Sequence, residues 1–197
     1  MAFIGMKYVV AAPISAETAG SAITYGTGMV IGKAIQGNLS WERNDNPLYA
    51  DDAIAENDNS VLSGTIEIGL DDLSDAARKM LLGEVEVTVG TGNDATTEYE
   101  TSDAAAPYVG VGYIRVRRKS GTTTYQAVWI HKVQFSEESE ETQTKGESIE
   151  WQTPTINGKI MGVQNDSSLA TNFRRRATFD TEAAAKSWLN TKAGISA

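Results

Sequence analysis

The chain has a single histidine and no cysteine. Without cysteine there are no thiolate nucleophiles, no disulfides and no thiolate-bound zinc. This suits a protein made in a reducing cytosol without covalent staples. His131 stands in an alternating run beside Trp129 and Val133, where an imidazole is far more often packed or interfacial than a general base. A Ser–His–Asp triad would have to use this one ring, and no Gly-x-Ser-x-Gly elbow accompanies it. Gly26-Thr27-Gly28-Met29-Val30-Ile31-Gly32 lacks the dinucleotide spacing and no helical pattern follows it, so it reads as glycines in a turn entering a strand.

Carboxylates and arginines are the remaining candidates. Asp45, Asp51, Asp52, Glu56 and Asp58 fall in one polar stretch and could offer oxygen ligands to calcium. The EF-hand spacing, with its central glycine and terminal glutamate, is absent. A solvated or partner-facing acidic loop is expected instead. Glu137–Glu141 reads as a solvated hairpin tip or a lumen-facing patch rather than a metal site. Nothing singles out a carboxylate pair for glycoside hydrolysis, whose spacing is set in three dimensions. Arg174, Arg175 and Arg176 form the one basic cluster. A nucleic-acid surface would want a broader basic face with interleaved aromatics. These arginines are therefore expected to pair with carboxylates of this chain or of a neighbouring copy. Asn38-Leu39-Ser40 and Asn165-Asp166-Ser167 match the glycosylation sequon without a secretory signal and read as chance. No cofactor, metal or catalytic residue is expected.

The elements that must position these residues are mostly strands. Lys7–Ala12, Gly28–Ile35 and Ser63–Leu70 are short, apolar or β-branched, and bounded by glycine, proline or polar residues. Glu84–Val89 alternates cleanly, which predicts a dry face of Val85, Val87 and Val89. Val109–Lys119 and Thr122–Phe135 flank Ser120-Gly121, the clearest hairpin signal. In its second arm Tyr125, Ala127, Trp129, His131, Val133 and Phe135 are expected on one face. Val128 and Ile130 make the other face apolar as well. Such a strand is central, or covered by another subunit. Glu147–Thr153 and Thr155–Val163, the latter with a turn at Asn157-Gly158, complete the predicted strands.

Two helices interrupt the strands. Asp71 or Asp72 can cap Leu73–Leu82, with Gly83 as its stop and a stripe of Leu73, Ala76, Ala77, Met80 and Leu81. A second, about Thr181–Lys192, places Ala184, Trp188 and Leu189 on one side. The segment Trp41–Ser60 fits neither pattern. It is acidic and rich in asparagine, yet contains Leu48, Tyr49 and Ile54. A loop that long inside a domain is usually functional or orders against a partner.

Composition sets the outer bounds. At 197 residues with 41% hydrophobic content, the chain can build one substantial domain with an added element. No apolar run approaches the roughly 20 residues of a membrane span, and Met1–Pro13 does not read as a signal peptide. The net charge of −9 and pI near 4.7 argue against non-specific nucleic-acid binding. They would make any channel lined by this chain repel DNA.

The order of several short motifs is distinctive. Asn46-Pro47-Leu48-Tyr49-Ala50-Asp51-Asp52 is followed by Glu56. Gly64-Thr65-Ile66-Glu67-Ile68-Gly69-Leu70 runs into Asp71-Asp72-Leu73, and the segment ends Leu81-Leu82-Gly83. Pro107–Tyr113, Gly121–Val133 and Gln143–Glu147 come after. In this order the chain resembles the major tail proteins, or tail tube proteins, of long-tailed non-contractile bacteriophages. The resemblance implies a mainly β, α+β fold: an antiparallel β-sandwich or partial barrel with a flanking helix and a C-terminal helix. It implies a tube domain over 1–167, with an inter-subunit loop at about 41–60 and a helix at about 72–82, and a C-terminal arm over 168–197. The implied function is that of a self-assembling, non-enzymatic subunit of stacked, hexameric rings around a conduit for DNA.

The implied partners are further copies of the chain, the tape measure protein, the tail terminator, and distal tail or baseplate proteins. Double-stranded DNA would pass through the lumen without specific binding. The implied location is the virion tail, after synthesis in the host bacterial cytoplasm. Inter-subunit contact is expected at Leu48, Tyr49, Asp51, Asp52, Ile54, Glu56, Arg174, Arg175 and Arg176. Two alternatives stay open: the inner tube of a contractile injection system, and a monomeric carbohydrate-binding β-sandwich using Trp41, Trp129 or Trp151 as platforms.

Overall fold

Two residues with left-handed backbone organise the longest hairpin. Ser120 (φ 47°) and Gly121 (φ 84°) join Lys119 to Thr122 in a two-residue turn whose twist matches that of the strands it connects. The chain is described from a computed structural model over residues 2–90, 95–101, 105–136, 153–164 and 170–196. In chain order, β1 (Ala2–Ala16), β2 (Thr24–Tyr25), β3 (Met29–Gly32) and β4 (Ala34–Arg43) precede a ribbon of β5 (Asn46–Ala50) and β6 (Ala53–Asp58). β7 (Val61–Leu70) leads into α1 (Asp75–Leu82), and a second ribbon follows, β8 (Val85–Val89) with β9 (Thr96–Glu100). β10 (Tyr108–Lys119) and β11 (Thr122–Phe135) form the long hairpin, and β12 (Thr155–Ile160), β13 (Arg174–Phe179) and α2 (Glu182–Ala193) follow.

The fold is mainly β with two helices and one large antiparallel sheet, in the order β2-β1-β10-β11-β12-β7-β4. As its sequence predicts, β11 is central. β10 lies along one edge, while β12 and β13 divide the other between them. The sheet also closes on itself. β3 pairs with β1, and β4, one residue later, pairs with β7 at the far edge. A single bent strand thus bridges the two ends, and the main core lies inside the curl: Val9, Ala11, Ile31, Ile66, Ile68, Val111, Val128, Ile130 and Ile156 are all buried there. Asp71 secures the bend, its Oδ1 accepting from the Lys33 amide at 2.7 Å.

That role displaces Asp71 from the predicted helix cap. Ser74 caps α1 instead, its hydroxyl accepting from the Ala77 amide at 3.4 Å, and Gly83 ends the helix at φ 80°. α1 packs Ala77 and Leu81 onto the main core beside Leu73, which precedes its cap, whereas Ala76 faces water.

A bulge overturns the predicted facing of β11. The register runs from Val109↔Val133 to Val111↔Ile130, so β11 carries one extra residue. Because side chains alternate with period two, one inserted residue moves everything beyond it to the opposite face. Val133 and Phe135 therefore join Val128 and Ile130 in the main core. Ala127 and Trp129 enter a second core beneath α2. That helix buries Ala185, Leu189 and Ala193 against Val10, Ala12, Ile114, Ala127 and Trp129. The inward stripe is one residue on from the predicted Ala184, which is exposed. The second cover of β11 thus comes from the same chain, not from a neighbouring subunit. The described part of the 168–197 segment is likewise built into the fold, through β13 on β11 and α2 on β1, β10 and β11.

Other expectations change too. Trp41–Ser60 is not a loop: β4 continues to Arg43, β5 and β6 form a ribbon, and β7 begins at Val61. Asn157-Gly158 lies within β12, not at a turn. A Cβ on Gly158 would come within 2.6 Å of Val133 Cγ1, so glycine is needed there for strand packing. Val85, Val87 and Val89 share a strand, but Val85 and Val89 are exposed, because among the described residues β8 pairs only with β9. Glu137–Glu141, Gln143–Glu147 and most of Glu147–Thr153 lie outside the described residues.

Leu189 is fully buried and holds α2 against Trp129 and Gly112. Leu189→Ala should destabilise the protein by about 3 kcal/mol through lost burial and a residual cavity, read as a lowered midpoint in chemical denaturation.

Candidate functional site

The sequence-predicted contact residues fall into two groups, one on a projecting ribbon and one on a sheet face. The ribbon β5–β6 starts beyond the last β4–β7 pair, Arg43↔Val61, and ends at Ala50↔Ala53. Asp51 (φ 50°) and Asp52 (φ 62°) make its two-residue turn. Aspartate is among the few non-glycine residues that tolerate the left-handed region. Neither face of the ribbon is covered, and Leu48, Tyr49 and Ile54 are 60%, 66% and 60% exposed.

The ribbon's root is held by polar contacts. Asn44 Nδ2 donates to Asp58 Oδ2 at 2.7 Å, the Ser60 amide to Asp58 Oδ1 at 3.0 Å, and Asn57 Nδ2 to Asp45 Oδ1 at 3.0 Å. The bond from Asn44, with those from Ser60, holds the Asp58 carboxyl below the usual carboxylate range. Asp45 and Asp58 thus orient the ribbon, while Asp51, Asp52 and Glu56 lie exposed along its outer part. Among the described residues no three acidic or histidine side chains lie together in a way that could hold a metal ion. The second ribbon, β8–β9, exposes Val85, Val89 and Tyr99.

The three arginines separate by strand alternation. Arg174 and Arg176 lie opposite Ile130 and Val128, on the main-core side of the sheet, and Arg175 lies opposite Trp129 on the other side. None forms an ion pair with a carboxylate among the described residues, so the pairing expected within the chain is not found there. Arg174 instead stacks over the Trp41 ring at 5.0 Å, and Trp41 meets Phe173 edge-on at 5.7 Å. Sequence reasoning missed the partners of this cluster. Arg115 and Arg117 reach the same sheet face from β10, with Phe3 under their guanidinium groups at 4.2 and 5.5 Å. Their spacing at i and i+2 in a strand was the available signal.

His131 is packed, as expected of a lone strand histidine. It is 6% exposed, and the Tyr25 hydroxyl donates to its backbone carbonyl at 2.9 Å and sits 3.5 Å from Nδ1. Burial, reinforced by Arg175 and Lys192, pushes its pKa down to about 4. Burial likewise pushes the Tyr25 hydroxyl up to about 12. The pair is neutral near pH 7 and contributes packing. Of the tryptophans that could serve as sugar platforms, Trp129 is fully buried and Trp41 is half-buried under Arg174, while Trp151 lies outside the described residues.

Because the folded His131 pKa lies below the ordinary value of 6.5, the unfolded chain binds the extra proton between the two values. Its stabilising effect is complete above about pH 6.5 and is lost as pH falls towards 4, by up to roughly 3 kcal/mol. His131→Gln should flatten the unfolding free energy against pH across that window, as measured by urea titrations from pH 7 to pH 4. Compared with known protein families and with curated proteins, the chain finds no match.

Proposed function

We propose that this chain is a structural subunit that self-assembles into the tail tube of a long-tailed, non-contractile bacteriophage, as stacked rings enclosing a conduit for DNA, and that it performs no catalysis. The observation that carries the reading is the β5–β6 ribbon. Three large apolar side chains stand in water on a two-stranded projection, an arrangement that is marginal in isolation and suited to burial against another protein surface. The ribbon coincides with the Asn46–Asp52 and Glu56 motif on which the resemblance rests. The ribbon edges and β13, which among the described residues pairs only with β11, leave strand edges that serve as joints in an assembly. The net charge of −9 suits a lumen that does not grip phosphates. The monomeric carbohydrate-binding alternative loses Trp129 as a platform, since that ring is fully buried.

On this reading the partners are further copies of the chain, with the tape measure protein inside the tube and the terminator and baseplate proteins at its ends. Concentrated purified protein should form hollow tubes or stacked rings of uniform width by negative-stain electron microscopy. Replacing residues 46–58 by Asn-Gly should leave the denaturation midpoint almost unchanged, because the removed side chains are exposed, yet abolish tube formation. Tubes of normal length from that variant would count against the ribbon as the inter-ring element. A monomer that binds glycans would overturn the proposal as a whole.

A further inference from the structure

Four guanidinium groups of this acidic chain collect on one sheet face. Register places them there in rows: Arg115 beside Gln126 and Thr178, Tyr113 beside Val128 and Arg176, and Val111 beside Ile130 and Arg174. Arg117 extends the β10 column. Arg115, Arg117 and Arg174 are half-buried and Arg176 is exposed. Arg115 Nη2 donates to Gln126 Oε1 at 2.8 Å, while Nε of Arg115 and of Arg117 is buried without an acceptor. No carboxylate among the described residues pairs with any of the four. Partly desolvated cations without counter-charge are unfavourable. Burial and the neighbouring arginines hold the Arg174 pKa below its usual value. The face also carries Phe3, 51% exposed, and the half-buried Trp41. Beside it opens a cleft of about 220 Å³ lined by Trp41, Arg43, Phe173 and Arg174, among others.

The same chain carries the complement. The β5–β6 ribbon presents Asp51, Asp52 and Glu56 among the exposed apolar side chains of Leu48, Tyr49 and Ile54. Its tip lies eight residues beyond Arg43 in sequence, roughly 25 Å of extended strand from the root. Trp41, which touches Arg174, is at that root, and among the described residues no ion pair joins Asp51, Asp52 or Glu56 to the chain's own arginines. We infer that the arginine face formed by Arg115, Arg117, Arg174 and Arg176 is the receptor for the acidic tip of the β5–β6 ribbon of a second copy of this chain. The carboxylates meet the guanidinium groups, and Leu48, Tyr49 and Ile54 cover the Phe3 and Trp41 rings. Charge-assisted and bidentate pairs of this kind select geometry as well as sign. The ribbon and its receptor are different surfaces of one chain, so a one-way contact between them is head-to-tail and builds a ring or a stack of copies. The inference rests on the tube reading only in taking the second copy to be the adjoining subunit.

Two variants test it by complementation. The first cancels the net positive charge of the face with Arg174→Glu and Arg176→Glu, which set two carboxylates beside the two remaining guanidinium groups. The second makes the ribbon basic with Asp51→Asn, Asp52→Gly and Glu56→Lys, which keeps a favoured two-residue turn. Each alone should associate at least about tenfold more weakly than the parent in sedimentation velocity, because the first removes the attraction and sets glutamates opposite the acidic ribbon, and the second sets a basic ribbon opposite arginines. An equimolar mixture should recover association, since the acidic ribbon of the first variant then meets the intact arginine face of the second. Circular dichroism and thermal melts establish that both variants are folded. Should either variant assemble like the parent, or the mixture fail to recover, this contact is wrong while parental tubes leave the tube reading intact. A parent that stays monomeric at the highest concentration overturns both. Loss of short-duplex DNA binding in the arginine variant, with self-association unchanged, would assign the face to nucleic acid and overturn the inference.

Discussion

Strand β11 is apolar on both sides and hydrogen-bonded along both edges, and most of the fold follows from having to cover it twice. One side faces the interior of the curled sheet, where Val128, Ile130, Val133 and Phe135 meet residues of β7, β12 and α1. On the other side Ala127 and Trp129 are sealed by α2. Glycines allow both covers to approach. A Cβ on Gly112 would lie 2.7 Å from Leu189 Cδ2 and 2.8 Å from the Trp129 ring, and one on Gly110 would lie 2.5 Å from both Trp129 and Tyr25. The helix can settle on the strand because nothing projects from β10 at those positions. Its attachment is polar as well as apolar: the Tyr8 hydroxyl donates to Asn190 Oδ1 at 2.7 Å, and Lys7 pairs with Glu182 at 2.6 Å.

Closing the sheet through the bent strand β3–β4 has a second consequence. A curled sheet satisfies its own core and leaves few places where apolar surface faces water. The large exposed hydrophobic side chains that remain are concentrated at the ribbons β5–β6 and β8–β9, near the start of β1, and at the ends of β3, β4 and β7. Surface of that kind, on strands with free edges, is a liability in a solitary protein and a joint in an assembly. The ribbon β5–β6 combines it with acidic charge and the β10–β11–β13 face combines it with arginine. The two are opposite in sign.

Legibility from the sequence divides along the same physical lines. The β10–β11 hairpin, β7, both helices and the packed state of His131 were readable, because each carries a periodic apolar pattern or a turn with its own chemistry. The β5–β6 ribbon was not readable as strands. With neither face buried it has no alternation to detect, and its Asp-Asp turn lacks the glycine that usually marks a two-residue hairpin. Val85, Val87 and Val89 show the converse. Their alternation is real, but the pairing of β8 with β9 alone leaves the strand without a core to face. Of the arginine face only the Arg174–Arg176 half was visible, since Arg115 and Arg117 lie almost sixty residues away in the chain.

What the sequence determined by itself is the class of the fold and the absence of thiol chemistry, because strand periodicity, turn residues and composition are local properties. It also marked the acidic segment that became the ribbon as something other than ordinary core. Tertiary structure alone decided which side of β11 each residue occupies, because a one-residue bulge reverses the facing beyond it and is set by pairing with β10. It also decided that α2, rather than another molecule, covers Trp129, and that two arginines from β10 join two from β13. Those outcomes depend on contacts between distant segments, which no local pattern encodes.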